Sequence, residues 1–99
     1  MILEVAILDV LSGQETAFEA AFLQAAPIIA SMPGCHSHQI QRCMETRNRY
    51  ILLIEWETLE DHTIGFRNSS QYQQWKQLLH RFYDPFPVVE HYQQLPAPL

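Results

Sequence analysis

The chain has 99 residues, 47% of them hydrophobic, which suits one compact domain over residues 1–99 and leaves no room for a second core. A net charge of -5 sets it against phosphate backbones, so no nucleic acid is expected as partner. No apolar stretch reaches the ~20 residues of a membrane span, and the N-terminus lacks a basic leader, with Glu4 and Asp9 interrupting its apolar run. The expected protein is soluble, cytoplasmic and not membrane-bound.

Residues 2–11 read as a first strand that is apolar on both faces, with Leu3, Val5 and Ile7 on one side and Ala6, Leu8 and Val10 on the other. Ser12-Gly-Gln-Glu15 has the form of a capping box. The following helix lines Phe18, Ala21, Phe22, Ala25, Ile29 and Met32 along one stripe. Pro27 predicts a kink or break inside it, and Pro33-Gly34 ends it. Residues 35–44 form a more polar second strand. Its two cysteines, Cys35 and Cys43, lie ~26 Å apart if the chain is extended, beyond disulfide reach, and read as reduced packing residues.

Residues 45–49 make a polar turn into a third strand, residues 50–57. An acid on a central strand needs a partner, and Arg42 or Arg49 is the expected cross-strand mate of Glu55. Thr58 caps a short helical segment running to about Phe66. A second helix from Ser69 or Ser70 aligns Tyr72, Trp75, Leu79 and Phe82, leaving His80 toward water. Asp84-Pro-Phe-Pro87 forces an extended path into a fourth strand, residues 88–95, and Pro96 and Pro98 close the chain as a polyproline-like tail.

The order is therefore βαββαβ, an α+β antiparallel sheet of ferredoxin-like type, with strands one and three central and two and four at the edges. Two helices cover only one face of such a sheet. The other face is left as an apolar patch too large for a stable monomer, and a homodimer packed sheet to sheet would bury it.

This layout, with Trp56-Glu-Thr-Leu-Glu-Asp-His62 and Phe66-Arg-x-Ser-x-x-Tyr72-x-x-Trp75, resembles the antibiotic biosynthesis monooxygenase (ABM) family over nearly the whole chain. The resemblance implies a dimeric α/β barrel of two ferredoxin-like protomers. It also implies one of that family's activities: cofactor-independent oxygenation of aromatic polyketides and quinols, haem degradation, or isomerisation of a small sugar phosphate. The haem-degrading pattern is not met. Strand one has no asparagine, Phe66 stands where that branch has a tryptophan, and Lys76 stands where it has a histidine.

His62, just past the central strand, is the leading candidate base, because a neutral imidazole can accept a proton from a phenol or quinol. Plain packing is its alternative. Tyr72 and His91 are the other candidate catalytic groups, His91 with an interface role as its competing reading. Phe22, Phe66 and Trp75 are candidate substrate-binding walls that would serve equally as core. His36 and His38 share a strand face at a spacing that suits one metal, yet no third ligand falls near, so they read as exposed and no metal is expected. No phosphate loop, nucleophile elbow or dinucleotide fingerprint occurs, so no cofactor is expected. The expected function is a cofactor-independent monooxygenase on a small aromatic or quinol-like molecule. Its alternatives are a non-catalytic ligand-binding dimer and a proton-transfer isomerase.

Overall fold

A computed structural model describes residues 1–96, so Pro98 of the expected tail lies outside the described residues. The chain forms β1 (Ile2–Asp9), α1 (Glu15–Ala30), β2 (Cys35–Arg42), β3 (Arg49–Trp56), a π-helical turn (Asp61–Phe66), α2 (Ser70–Leu79), a 3-10 turn (His80–Phe82) and β4 (Val89–Gln93). The sheet order is β2-β3-β1-β4, all antiparallel, with the two most apolar strands in the centre. This is the ferredoxin-like α+β arrangement that the alternation predicts.

Period-two alternation sorts the residues between two unlike faces. Glu4, Ala6, Leu8 and Val10 of the first strand and its extension, with Tyr50, Leu52, Ile54 and Trp56 of β3, are buried beneath the helices. Phe18, Ala25 and Ile29 of α1 and Trp75 and Leu79 of α2 close over them. On the opposite face Leu3, Val5, Ile51 and Leu53 are half-buried, and Ile7 is 42% exposed. Among the described residues no helix covers that face.

Several local expectations are corrected. Glu15 and Ser12 form no capping box: Gly13 takes φ 89, Gln14 stands at the cap position, and the Glu15 carboxylate accepts the Gly13 N–H at 2.6 Å. Pro27 does not break α1. The bond it lacks would end on the carbonyl of Leu23, a residue 76% exposed, where water can serve instead. Glu55 pairs with neither arginine but accepts the Ser37 hydroxyl at 2.8 Å. Arg42 sits opposite Tyr50 on the helix side and reaches Glu19 at 2.7 Å, while Arg49 bonds its register partner Asp9 at 2.8 Å.

A bulge between Cys35 and Ser37 also breaks the alternation that the paired His36 and His38 assume. His36 bonds Glu57 at 3.1 Å, whereas His38 pairs in register with the inward Ile54. Among the described residues no cluster of three His, Cys, Asp or Glu could hold a metal ion.

Two features set the π-helical turn in place. Thr58 Oγ1 accepts the Asp61 N–H at 3.2 Å and Asp61 Oδ2 accepts the Thr58 N–H at 3.2 Å, a reciprocal cap. Gly34, at φ 84, lies so close that an added Cβ would stand 2.2 Å from Asp61 Oδ2. Only glycine lets the α1–β2 turn and the π-helical turn approach this closely. The residue immediately after Asp61 is His62.

Candidate functional site

A cavity of about 320 Å³ lies between the inner sheet face and the chain from the π-helical turn to β4. Its floor is Glu4, Ala6 and Leu8 of β1 with Leu52 and Ile54 of β3. Its walls are His62, Phe66, Tyr72 and Trp75, and Arg67, His80, Tyr83 and Phe86 are also in the lining. Of the candidate residues, His62, Tyr72, Phe66 and Trp75 meet here. Phe22 does not: it packs edge-on against Trp75 at 5.9 Å and lines a separate groove with Glu19 and Arg42.

The π-helical turn closes one backbone bond every five residues, and residues four apart, His62 and Phe66, both point inward. His62 is 3% exposed and lies almost parallel to Trp56, the centroids 5.3 Å apart. Both of its nitrogens are engaged. Nδ1 lies 2.8 Å from His91 Nε2, and Nε2 lies 3.3 Å from Glu4 Oε1. The same Glu4 oxygen accepts the Trp56 indole N–H at 2.9 Å. Register explains the assembly, since Glu4 pairs with Ile54 on one side and with His91 on the other. The π-helical turn then lowers His62 between them.

Burial governs the electrostatics of this cluster. Loss of hydration pushes the Glu4 carboxyl up to about 7, against the smaller opposing pulls of Trp56 and the Arg67 charge. Burial drives His62 down to about 3, helped by Arg67 and His91. His91 is lowered by the same two causes, desolvation first and then Arg67. His80 is lowered by burial and by Lys76, and burial raises the Tyr83 phenol. The cluster is thus held with neutral rings and a carboxyl that ionises near neutral pH.

Four polar residues of the cavity, Glu4, Arg67, His80 and Tyr83, are not among the site residues that the sequence points to. Glu4 is the main one. Its parity with Ala6, Leu8 and Val10 is the signal that places it under the helices. His80, expected in water, is half-buried at the cavity wall, its ring edge-on to Tyr72 at 5.9 Å and to Phe86 at 4.9 Å. The 3-10 turn that starts at His80 departs from the α-helical spacing on which that expectation rested. Arg67 and Tyr83 carry no sequence signal that separates them from surface and core.

A family model for antibiotic biosynthesis monooxygenases matches residues 1–78. YczJ of Bacillus subtilis, itself uncharacterized, is 59% identical over 95 residues, which are 96% of this chain and all of that protein. A Bordetella bronchiseptica structure, provisionally assigned as an antibiotic biosynthesis monooxygenase, superposes with TM-score 0.91 at 36% identity, covering 96% of this chain and 97% of the other. SnoaB, a cofactor-independent oxygenase from Streptomyces nogalater, shares the fold at TM-score 0.82 and 17% identity, covering 97% and 94%.

Proposed function

The chain belongs to the antibiotic biosynthesis monooxygenase family, and from that premise we propose a cofactor-independent monooxygenase acting as a homodimer on a small aromatic or quinol-like substrate. The carrying observation is the cavity itself. Flat apolar walls, Phe66 and Trp75, face buried Glu4 and His62, with half-buried His91 bonded behind His62, a cluster that can hold or release one proton near neutral pH.

Such a substrate supplies its own electrons. Removing the phenolic proton gives a ring anion that reduces dioxygen directly. A C–O bond forms, the O–O bond breaks, a ring CH2 (in its keto form) becomes C=O, and the second oxygen atom leaves as water. The protein's part is to bind the ring, take the proton and keep water out. His62 serves in the proton-accepting cluster with His91 bonded to it, while the Tyr72 hydroxyl holds a polar atom of the substrate. Arg67 at the lining favours the anion. Phe22 acts only by bracing Trp75.

The homodimer follows from the uncovered face of Leu3, Val5, Ile7, Ile51 and Leu53, an apolar surface that a second copy would bury. Light scattering on purified protein is expected to give twice the chain mass, and a monomer at micromolar concentration would remove the assembly.

Oxygen uptake across a panel of phenols and quinols tests the activity. His62→Ala is expected to lose most turnover, and equal rates in both proteins would take His62 out of the reaction. The polar part of the cavity, Glu4, His62 and Arg67, favours one second reading: proton transfer within a small metabolite, an isomerisation. Conversion of substrate without consumption of oxygen would select it.

A further inference from the structure

The His62 imidazole is bonded to His91 through Nδ1, and its Nε2 lies 3.3 Å from Glu4 Oε1. Glu4 differs. Its Oε1 takes the Trp56 indole N–H and lies 3.3 Å from His62 Nε2, and no bond among the described residues involves Oε2. Among the described residues no buried side-chain oxygen or nitrogen is left without a partner, so Oε2 is open, and Glu4 lines the cavity. By the same reasoning His91 Nδ1, on a half-buried edge-strand residue, is open at the other end. The three residues therefore form a line with one end at the substrate cavity and the other beyond it.

We propose that Glu4 is the catalytic residue that exchanges the proton with the substrate, and that His62 and His91 form a relay through which Glu4 sheds its own proton toward the β4 edge. This rests on the reading of the cavity as a proton-abstracting site. Before substrate binds, the carboxyl proton passes from Oε1 to His62 Nε2 as the Nδ1 proton of His62 passes to His91 Nε2 and the Nδ1 proton of His91 leaves, so Glu4 becomes a carboxylate and both rings carry Nε2–H. The substrate O–H bond then breaks and an O–H bond forms on Glu4, and that proton returns to the reduced oxygen as it leaves as water. Each ring gains one proton and loses one, so the passage needs no rotation of either ring.

The groups facing Glu4 agree with this. From β3 comes only the Trp56 donor, from the π-helical turn and its end His62 and Arg67, from β4 His91. Tyr72 and His80 share the cavity, Tyr83 is held neutral by burial, and Cys35 on β2 is raised by burial and by Glu4. Arg67 is the single fixed charge among them. The titration near pH 7 thus belongs to the cluster as a unit.

Nitrogen-15 spectra of histidine-labelled protein between pH 5 and 9 test the relay without any substrate. In the wild type His62 and His91 are expected to switch together, from Nδ1–H to Nε2–H, at one midpoint near neutral. Glu4→Gln, whose amide oxygen keeps the Trp56 bond, should hold both rings as Nε2–H throughout. Rings that keep one tautomer across the range, or that become imidazolium separately, overturn the relay. Should Glu4→Gln fail to fold, the wild-type infrared band of the protonated carboxyl replaces it. That band must vanish at the midpoint of the rings, and a different midpoint overturns the coupling.

With a substrate in hand, Glu4→Gln is expected to lose at least about 100-fold in kcat/KM while binding the phenol within about threefold. Full turnover in Glu4→Gln removes Glu4 as the catalytic residue. A wild type that switches its rings yet turns over no phenol defeats the oxygenase reading and leaves the relay standing.

Discussion

Two glutamates on the helix side of the molecule each hold two partners against a single oxygen and end with opposite acidities. Glu19 Oε2 takes Arg42 at 2.7 Å and the Tyr50 hydroxyl at 2.5 Å, with its side chain 44% exposed. Its carboxyl is held below the usual range, first by the Tyr50 bond. Glu4 Oε1 takes Trp56 at 2.9 Å and lies 3.3 Å from His62 Nε2, at 5% exposure, and rises to about 7. Each oxygen has two partners within 3.3 Å, so their number does not decide. What differs is hydration. An ion that keeps part of its water gains from each partner, whereas a buried one must first make good the water it has lost. The first glutamate is therefore a charged clasp and the second an acid–base group.

The sharpest way to break this comparison is activity. Glu4→Gln should cost at least about 100-fold in kcat/KM by oxygen uptake, and Glu19→Gln less than about twofold. Similar losses in both would mean that the carboxyl environment has no bearing on the reaction.

Stability against pH comes next in size. A raised folded pKa means that between 4.5 and about 7 the unfolded Glu4 releases its proton while the folded one keeps it. Stability therefore falls as pH rises through that window, by on the order of 3 kcal/mol in all. His62 acts the other way. Its folded pKa of about 3 lies below 6.5, so the unfolded ring takes up a proton first and stability falls as pH drops from 6.5 toward 3. The two slopes oppose each other between 4.5 and 6.5, which predicts a plateau there with a falling limb on either side. Denaturant titrations should show Glu4→Gln losing the alkaline limb, with the plateau replaced by a continuous rise in stability from about pH 3 to 6.5. An alkaline limb that survives the substitution would assign it to another group.

Gly34→Ala sharpens the comparison by disturbing only the Glu4 side. Forcing a Cβ against Asp61 at φ 84 should destabilise by about 1–3 kcal/mol. It should also loosen His62, seen as a change in its nitrogen-15 shifts, while the Glu19 clasp stays intact. Smallest of all, Glu19→Gln should cost no more than about 1 kcal/mol in thermal unfolding, since its pair is partly solvated and screened.

The Glu4 side also shows where a one-dimensional reading stops. His62 and His91 stand out by residue type, and their distance in sequence, 29 residues, hides that they touch at 2.8 Å. Glu4 looks like an interruption in an apolar strand until its parity is followed. Even then parity gives only the face, whereas the acidity comes from what covers that face. Phe22 carries the right chemistry for a cavity wall and lies one ring too far, behind Trp75. His80 was misjudged because a 3-10 turn departs from the helical spacing.

Composition, alternation and capping signals in the chain itself determined the element order, the two central strands and the single covered face. Each of these depends on neighbours a few residues apart and on where apolar surface must go. Only the tertiary structure decided that a carboxyl, two imidazoles and an indole from four separate segments meet in one cluster, most of it dry, and so take on a proton affinity none has alone. Desolvation and charge coupling depend on distance in space, and that distance is set by packing rather than by position along the chain.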